Sequence, residues 1–374
     1  MKKIHMVDVV SHYKKYSKEI NKRMEQVISS GVYIQGKEVE NFENSLSNYL
    51  TSKYTITCGN GTDALYIALM ALNLKKGSEV LVPSFTFVST VEVVCLLGLK
   101  PVFVDIDPKT FLIDIQSVND SININTKAII PVHLFGQCCN MIDLKIIAKK
   151  HNLFIIEDAA QSIGAKCHVN QSNKMSFSGT IGDIGITSFY PSKNLGAMGD
   201  GGAIFTQKKY LANKIRLISN HGQEKKYIHK IVGLNSRLDA LQATVLSFKL
   251  TLLNDFNKKR QQAAKQYDNH LGQLNWLEKP VIAINTEHVF HQYSILLNKS
   301  INRSRFQEYL TSFNIPSMIY YPIPLHQQQA YKLYASKSLP NSEQVSKQII
   351  SLPMHPEIDL KQIKFICDVI TNFV

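Results

Sequence analysis

The chain contains few of the features that would place it outside the ordinary soluble enzymes. No apolar run in its 374 residues approaches the ~18 needed to span a bilayer, and the opening Met-Lys-Lys-Ile-His lacks the apolar core of a signal peptide. A membrane or secreted protein is not expected, and a cytoplasmic one is. Cysteine is sparse: Cys58, Cys95, Cys138, Cys139, Cys167 and Cys367, with no CxxC spacing. These read as small, partly buried thiols, so neither a disulfide framework nor a metal site is expected. Low-complexity tracts and internal repeats are absent. Acidic residues are the minority, 29 against 42 Lys and Arg, for a formal net charge of +13. The lysines are scattered in pairs such as Lys14-Lys15 and Lys258-Lys259, with no aromatic-interleaved stripe, so nucleic acid is not the expected partner. The surplus reads as solvated surface that steers phosphate-bearing anions.

Buried-looking runs alternate with helical patterns over the first two-thirds of the chain. Strands are expected at Tyr54–Cys58, Glu79–Val82, Lys100–Asp105, Ala128–Val132, Leu153–Glu157, Ile184–Phe189 and Gly202–Thr206. Helices are expected at Tyr16–Ser29, Thr62–Leu72, Phe87–Leu97, Met141–His151 and Lys208–Ser219. This alternation predicts an α/β domain with a large, mostly parallel sheet covered by helices on both faces. A mostly helical stretch from Arg237 to about Leu271 leads away from it. Beyond lie a strand at Val289–Leu297, a helix at Ser304–Phe313, the proline-punctuated Ile315–Leu325 and a terminal helix near 359–373. The expected division is a large α/β domain over 1–250, with an N-terminal helical segment, and a smaller α+β domain over 251–374. Parallel sheets bind ligands at the carboxyl ends of their strands, so the residues after each run are the ones to inspect.

Asn-Gly-Thr-Asp-Ala-Leu (60–65) follows the first strand and opens a helix. Gly61 permits close backbone approach, and the helix N-terminus offers unpaired N–H groups to a phosphate. Two other readings stay open here. Gly59-x-Gly61-x-x-Ala64 fits a loose dinucleotide fingerprint, although the next strand ends Leu81-Val82-Pro83-Ser84 without the acid that a ribose requires. The turn could also be a plain helix cap. Phe87, in Pro-Ser-Phe-Thr-Phe (83–87), is an aromatic at a strand mouth that can stack on a planar ring or join the core. Asp158 follows an apolar run that ends in an acid, which would bury a carboxylate at the base of a crevice; an exposed capping Asp is the alternative. Gln161 follows about one turn later. Lys193 sits in Ser-Phe-Tyr-Pro-Ser-Lys-Asn-Leu-Gly (188–196), with Ser188 five residues upstream and Gly-Asp-Gly-Gly (199–202) downstream. An amine, a buried carboxylate and a phosphate cup are together what pyridoxal 5′-phosphate (PLP) requires. A lysine bonds the cofactor's aldehyde, and a carboxylate keeps its ring nitrogen protonated.

These motifs closely resemble those of the DegT/DnrJ/EryC1/StrS family of PLP-dependent nucleotide-sugar aminotransferases. The likeness runs almost end to end and in order. It takes in Tyr-Ile-Gln-Gly-Lys-Glu-Val (33–39), Asn-Gly-Thr-Asp-Ala-Leu, Pro-Ser-Phe-Thr-Phe and Pro-Val-Phe-Val-Asp-Ile-Asp (101–107). It continues through Glu-Asp-Ala-Ala-Gln-Ser (157–162), Pro-Ser-Lys-Asn-Leu-Gly, Gly-Leu-Asn-Ser-Arg-Leu-Asp (233–239), Tyr-Tyr-Pro-Ile-Pro-Leu-His (320–326) and Leu-Pro-Met-His-Pro (352–356). The resemblance implies fold type I and a homodimer with active sites shared at the subunit interface. It makes Lys193 and Asp158 the catalytic residues, Lys193 binding the cofactor and moving protons and Asp158 meeting the pyridine nitrogen. Gln161 would meet the ring hydroxyl and Phe87 would stack on the ring. Gly61, Thr62 and Ser188 would form the phosphate cup, completed by Asn235 of the partner subunit.

The resemblance also bears on substrate. Val-His-Leu-Phe-Gly-Gln (132–137) looks like family members that aminate the 3-position of the sugar. The whole-chain pattern looks most like those acting on UDP-2-acetamido-2-deoxy-3-oxo-glucuronate for surface polysaccharide (lipopolysaccharide, O-antigen) synthesis, with L-glutamate as the usual donor. By that likeness Gly31, Tyr33, Ser192, Arg237, Tyr320 and Tyr321 contact the nucleotide sugar; Tyr320 stands where close relatives carry His. The alternatives are a dTDP-3-oxo-6-deoxyhexose acceptor, a sugar 3-dehydratase and a non-catalytic regulatory protein on the same scaffold. Lys193 argues against the dehydratase, which carries His in its place. Retention of both Lys193 and Asp158 argues against the regulatory protein.

Overall fold

The computed structural model describes residues 3–169 and 175–373. Seven strands form its central sheet: β1 (Tyr54–Cys58), β2 (Glu79–Pro83), β3 (Lys100–Val104), β4 (Thr126–Ile129), β5 (Phe154–Asp158), β6 (Ile184–Ser188) and β7 (Gly202–Thr206). Across the sheet they lie in the order β1-β7-β6-β5-β4-β2-β3. Strands β2 to β6 pair in parallel, while β7 runs antiparallel to both β6 and β1. Val80, Leu81, Val82, Ile129, Ile156, Ile184 and Ile186 are all fully buried. Such continuous apolar strands are what a sheet covered on both faces demands.

The covering helices include α1 (Val9–Ser30), α2 (Lys37–Leu50), α3 (Gly61–Leu72), α4 (Ser89–Leu96), α5 (Met141–His151) and α6 (Lys209–Ser219). Helix α3 buries Ala64, Leu65, Ile67, Ala68, Leu69 and Ala71, so almost its whole surface is core. Each large apolar side chain sealed there contributes roughly 1.5–3 kcal/mol. Helices α7 (Ala240–Leu250) and α8 (Leu253–Leu271) follow, then α9 (Leu360–Thr371) at the end. A second, three-stranded antiparallel sheet joins Leu277–Glu278, Tyr293–Leu297 and Ile349–Leu352. With α8, α9 and the helix Arg303–Ser312 it encloses a separate core of Tyr267, Tyr293, Phe306 and Ile366, which Ile4 also enters. Among the described residues, no helix is long and apolar enough to cross a membrane.

Several expectations shift by a few residues. The stretch Arg237–Leu271 is two helices, broken at Thr251–Leu252, and its first residues are extended. The expected strand Val289–Leu297 begins only at Tyr293, because Phe290 has φ +45° and leaves the extended conformation. The helix after β2 starts at Ser89, so Phe87 belongs to the preceding turn. A small antiparallel sheet of Lys166–His168, Met175–Phe177 and Thr286–Glu287 was not anticipated. Its strands are two or three residues long, too short for a period-2 signal.

Candidate active site

Strand alternation gives the adjacent acids Glu157 and Asp158 different tasks. Glu157 is fully buried and accepts the backbone N–H groups of Gly179 (2.9 Å), Ile181 (2.6 Å) and Gly182 (2.6 Å). It also meets His133 Nε2 at 2.8 Å. Because His133 Nδ1 accepts the Cys139 N–H at 3.0 Å, the proton on this imidazole sits on Nε2 and points at Glu157. Glu157 therefore pins the loop beneath the sheet.

Asp158 faces the other way, into a cavity of about 720 Å³ at the carboxyl ends of the strands. Its oxygens accept the Thr90 hydroxyl at 3.0 Å and the Ala160 N–H at 3.1 Å. Burial raises its pKa, against the pull of those donors and of the Lys193 charge. Among the described residues it forms no ion pair within 4.0 Å. A carboxylate this buried and held only by neutral donors calls for a cationic N–H from a ligand.

Lys193 reaches the same cavity from the loop between β6 and β7, which is closed by Lys193 N–H donating to the Tyr190 carbonyl at 2.8 Å. Part of its surface stays open to the cleft. Desolvation by the protein packed around it nonetheless lowers the amine's pKa to about 8, with Asp158 pulling the other way. An amine so poised is readily deprotonated and nucleophilic near neutral pH.

The third wall is the N-terminus of α3. Asn60 caps it, its side chain accepting the Asp63 N–H at 2.8 Å. The first-turn N–H groups of Gly61 and Thr62 have no partner within the helix by geometry, and both residues line the cavity. A Cβ on Gly61 would stand 2.7 Å from the Ser188 Cβ, so glycine is what lets this turn close on β6. Thr62 Oγ1 and Ser89 Oγ lie 2.7 Å apart beside it. Here the cap and anion-site readings coincide. The dinucleotide reading finds no acid after β2, where Ser84 instead meets His326 Nδ1 at 2.6 Å.

The structure thus brings Gly61, Thr62, Phe87, Asp158, Gln161, Ser188, Ser192, Lys193, Tyr320 and Tyr321 around one cavity. Phe87 is 53% exposed, with its ring centroid 6.1 Å from that of Tyr321, so it is not a core residue. Gln161 accepts the Phe135 N–H at 2.8 Å and donates to Tyr321 Oη at 3.1 Å. Gly31, Tyr33, Asn235 and Arg237 lie elsewhere. Gly31 ends α1 in the left-handed conformation (φ 68°), and Tyr33 follows on an exposed turn. Arg237 donates to Asn235 Oδ1 at 2.6 Å and Asn220 Oδ1 at 3.1 Å, on a separate polar surface. Between them Ser236 turns inward, taking the Gly59 N–H (2.9 Å) and donating to Asp63 (2.6 Å). Sequence reasoning missed Thr90, Ser89, His291 and Gln292. The last pair could have been flagged as two polar residues within the apolar run Val289–Leu297.

Comparison with known proteins agrees with this geometry. Residues 14–371 match the model of the DegT/DnrJ/EryC1/StrS aminotransferase family. A UDP-2-acetamido-2-deoxy-3-oxo-D-glucuronate aminotransferase of Pseudomonas aeruginosa is 43% identical over 369 residues, covering 99% of this chain and all of that protein. A UDP-N-acetyl-3-dehydro-alpha-D-glucosamine 3-aminotransferase of Acidithiobacillus ferrooxidans is 40% identical, covering 98% and 97%. Among solved structures, NtdA of Bacillus subtilis with bound cofactor PMP superposes with a TM-score of 0.87 at 32% identity, covering 96% of this chain and 82% of that one. The sheet and its helices are those of a fold-type-I aminotransferase. The site's chemistry fits PLP: an amine for the aldehyde, a buried carboxylate without an ion-pair partner among the described residues for the ring nitrogen, and a helix N-terminus for the phosphate. With its fold, cofactor site and near-complete alignment in accord, the chain belongs to the DegT/DnrJ/EryC1/StrS aminotransferase family, as a PLP-dependent sugar aminotransferase.

Proposed function

We propose that this enzyme moves an amino group from L-glutamate to C3 of a UDP-linked 2-acetamido-2-deoxy-3-oxo-glucuronate, releasing 2-oxoglutarate, in a ping-pong sequence. Such an aminated uronate suits surface polysaccharide synthesis. PLP, when bound, supplies an electron sink and carries the amino group between the two half-reactions. Lys193 Nζ takes the α-proton of glutamate, then delivers a proton to C3 of the acceptor sugar. Asp158 accepts the hydrogen bond of the cofactor's ring nitrogen, with Thr90 and the Ala160 N–H fixing its carboxylate. Gly61, Thr62 and Ser188 would hold its phosphate, Phe87 would stack on its ring, and Gln161 would meet its hydroxyl. Ser192, Tyr320 and Tyr321 border the sugar. The observation that carries the reading is the convergence of the desolvated Lys193 and the buried, ion-pair-free Asp158 on one cleft.

The active unit in this reading is a homodimer. Gly31, Tyr33, Asn235 and Arg237 lie outside their own chain's cavity, which accords with their serving the neighbouring one. Asn235 of the partner subunit would then complete the phosphate cup, and Arg237 of the partner subunit would meet the nucleotide sugar. The uronate is favoured by the Pseudomonas relative and by the guanidinium of Arg237, whose planar donors suit a carboxylate. A neutral acceptor is the second reading, favoured by the Acidithiobacillus relative. Assay of the purified enzyme with glutamate tests this directly. The panel is the UDP-3-oxo uronate, its neutral UDP-N-acetyl-3-oxo-glucosamine counterpart and a dTDP-3-oxo-6-deoxyhexose. The highest kcat/KM is expected for the uronate; a preference for either neutral sugar overturns the choice of acceptor.

A further inference from the structure

Behind the Lys193 loop lies a second cavity, of about 240 Å³, that the transamination reading leaves unused. Ser192 and Lys193 line both cavities, so this loop is the partition between them. The far walls come from the start of α1, the end of α7, the middle of α8 and His355-Pro356. His355 belongs to Leu-Pro-Met-His-Pro, a motif that no step of the reaction employs.

The cavity's buried charge is one-sided. Lys249 and Arg260 both line it and are 8% and 2% exposed. Lys249 Nζ donates to the Gly196 carbonyl. Arg260 Nη1 donates to the carbonyls of Phe290 (3.2 Å), His291 (3.3 Å) and Met354 (3.0 Å). Among the described residues neither forms an ion pair with a carboxylate within 4.0 Å. Asp8 is the one carboxylate in the lining. It caps α1, accepting the Ser11 N–H at 2.8 Å. Glu357, next along the chain, pairs with Lys15 at 3.1 Å and stands 3.5 Å from His12. Among the described residues, four buried side-chain nitrogens of the lining have no hydrogen-bond partner: Arg260 Nε, His355 Nδ1 and both ring nitrogens of His12. Burial without a counter-ion is costly for a cation and lowers the pKa of both, Lys249 to about 8 and Arg260 to about 10.

We propose that this cavity is a binding site for a small monovalent inorganic anion of chloride size, held between Arg260 Nε–H and Lys249 Nζ. His355 Nδ1 and the Ser192 hydroxyl lie within the same lining. A weakly hydrated halide needs fewer donors than a multiply charged oxyanion, and two buried cations suffice to hold it. The anion places one negative charge between two buried cations, offsetting half of their combined charge. It also ties the N-terminal segment, the Lys193 loop and α8 together from the side opposite the substrate. The site does not depend on which sugar is aminated.

Crystals of the PLP-loaded enzyme grown in sodium bromide test it, since bromide scatters anomalously. The expected result is an anomalous peak in the cavity, within hydrogen-bond distance of Arg260 Nε. Water density alone there, or bromide only at the outer surface, overturns the proposal. In solution, chloride-35 NMR line broadening by the holoenzyme should be titratable and reversed by bromide. It should weaken roughly tenfold in Lys249→Met, the loss of one charge-assisted contact. Broadening that is unchanged in that variant counts against the site. If Lys249→Met does not fold, the bromide crystal of the unmodified enzyme decides.

Discussion

Thr90 Oγ1 donates to Asp158 Oδ2 at 3.0 Å, tying the first turn of α4 to the end of β5. The Ala160 N–H takes the other oxygen at 3.1 Å, so the carboxylate is fixed by neutral donors alone. The two residues should therefore separate in mutants. If Asp158 meets the cofactor nitrogen, Asp158→Asn removes the charge opposite it, and the rate should fall by orders of magnitude with PLP still bound. Thr90→Val removes one hydrogen bond, worth about 1 kcal/mol, and should slow kcat about five- to tenfold. Single-turnover kinetics with glutamate, read beside the visible spectrum, makes the comparison. A loss of less than about tenfold in Asp158→Asn, ~1.4 kcal/mol, would show that another acid holds the nitrogen.

Lys193 costs the fold what it gives the chemistry. Its amine, with a pKa of about 8 against the ordinary lysine value of 10.5, binds its proton less readily folded than unfolded. A lowered lysine pKa destabilises the native state. The penalty is fully present below about 8, fades as pH rises through 10.5, and is gone only above it, where neither state is protonated. Lys193→Met should abolish transamination while making the cofactor-free protein more stable at pH 7, by on the order of 1–3 kcal/mol. Urea unfolding at pH 7 and pH 10 reads the effect, and the gap between variant and parent should narrow at the higher pH. Normal turnover by this variant would remove Lys193 from its assigned role.

Much of this was legible in the sequence, for reasons particular residues make plain. The seven central strands are short apolar runs bounded by turn residues, and all seven appear within a few residues of their expected places. Asp158 and Lys193 stood out because each follows a strand and carries chemistry that a strand end can use, and Ser188 because it lies five residues before Lys193, within reach of a phosphate. Thr90 did not, because an isolated threonine seven residues beyond β2 acquires meaning only when α4 folds back over β5. The separate fates of Glu157 and Asp158 depend on which face of β5 meets the loop 179–182, and that is set by tertiary packing. The buried cations Lys249 and Arg260 were likewise invisible, since each looks in sequence like an ordinary polar residue on a helix.

Subunit sharing has its own test. Arg237 donates to both Asn235 and Asn220, outside the cavity of its own chain, and Asn235 lies outside it too. If they serve the neighbouring site, Lys193→Met and Asn235→Ala proteins, each inactive alone, should recover activity on mixing. Random exchange makes half the dimers mixed, and each mixed dimer rebuilds one of its two sites. Recovery should thus approach about one quarter of the parental activity. No recovery after subunit exchange, demonstrated with tagged chains, would place each site within one chain.

The same surface offers a test of the acceptor. Arg237 holds two asparagine carbonyl oxygens, neither of which carries a charge, so its guanidinium keeps its full charge and several N–H donors for a ligand. A uronate carboxylate would accept two of them in parallel, a pairing a neutral sugar cannot reproduce. Arg237→Ala should then lower kcat/KM for the 3-oxo uronate by about 2–3 kcal/mol, roughly 30- to 150-fold, with a far smaller loss on UDP-N-acetyl-3-oxo-glucosamine. Arg237→Lys should recover only part of the difference, because an ammonium offers charge without the planar fork. If Arg237 merely braces the loop or binds the phosphates common to all acceptors, both substrates lose equally. The aminotransferase assignment would then stand while the uronate reading fell.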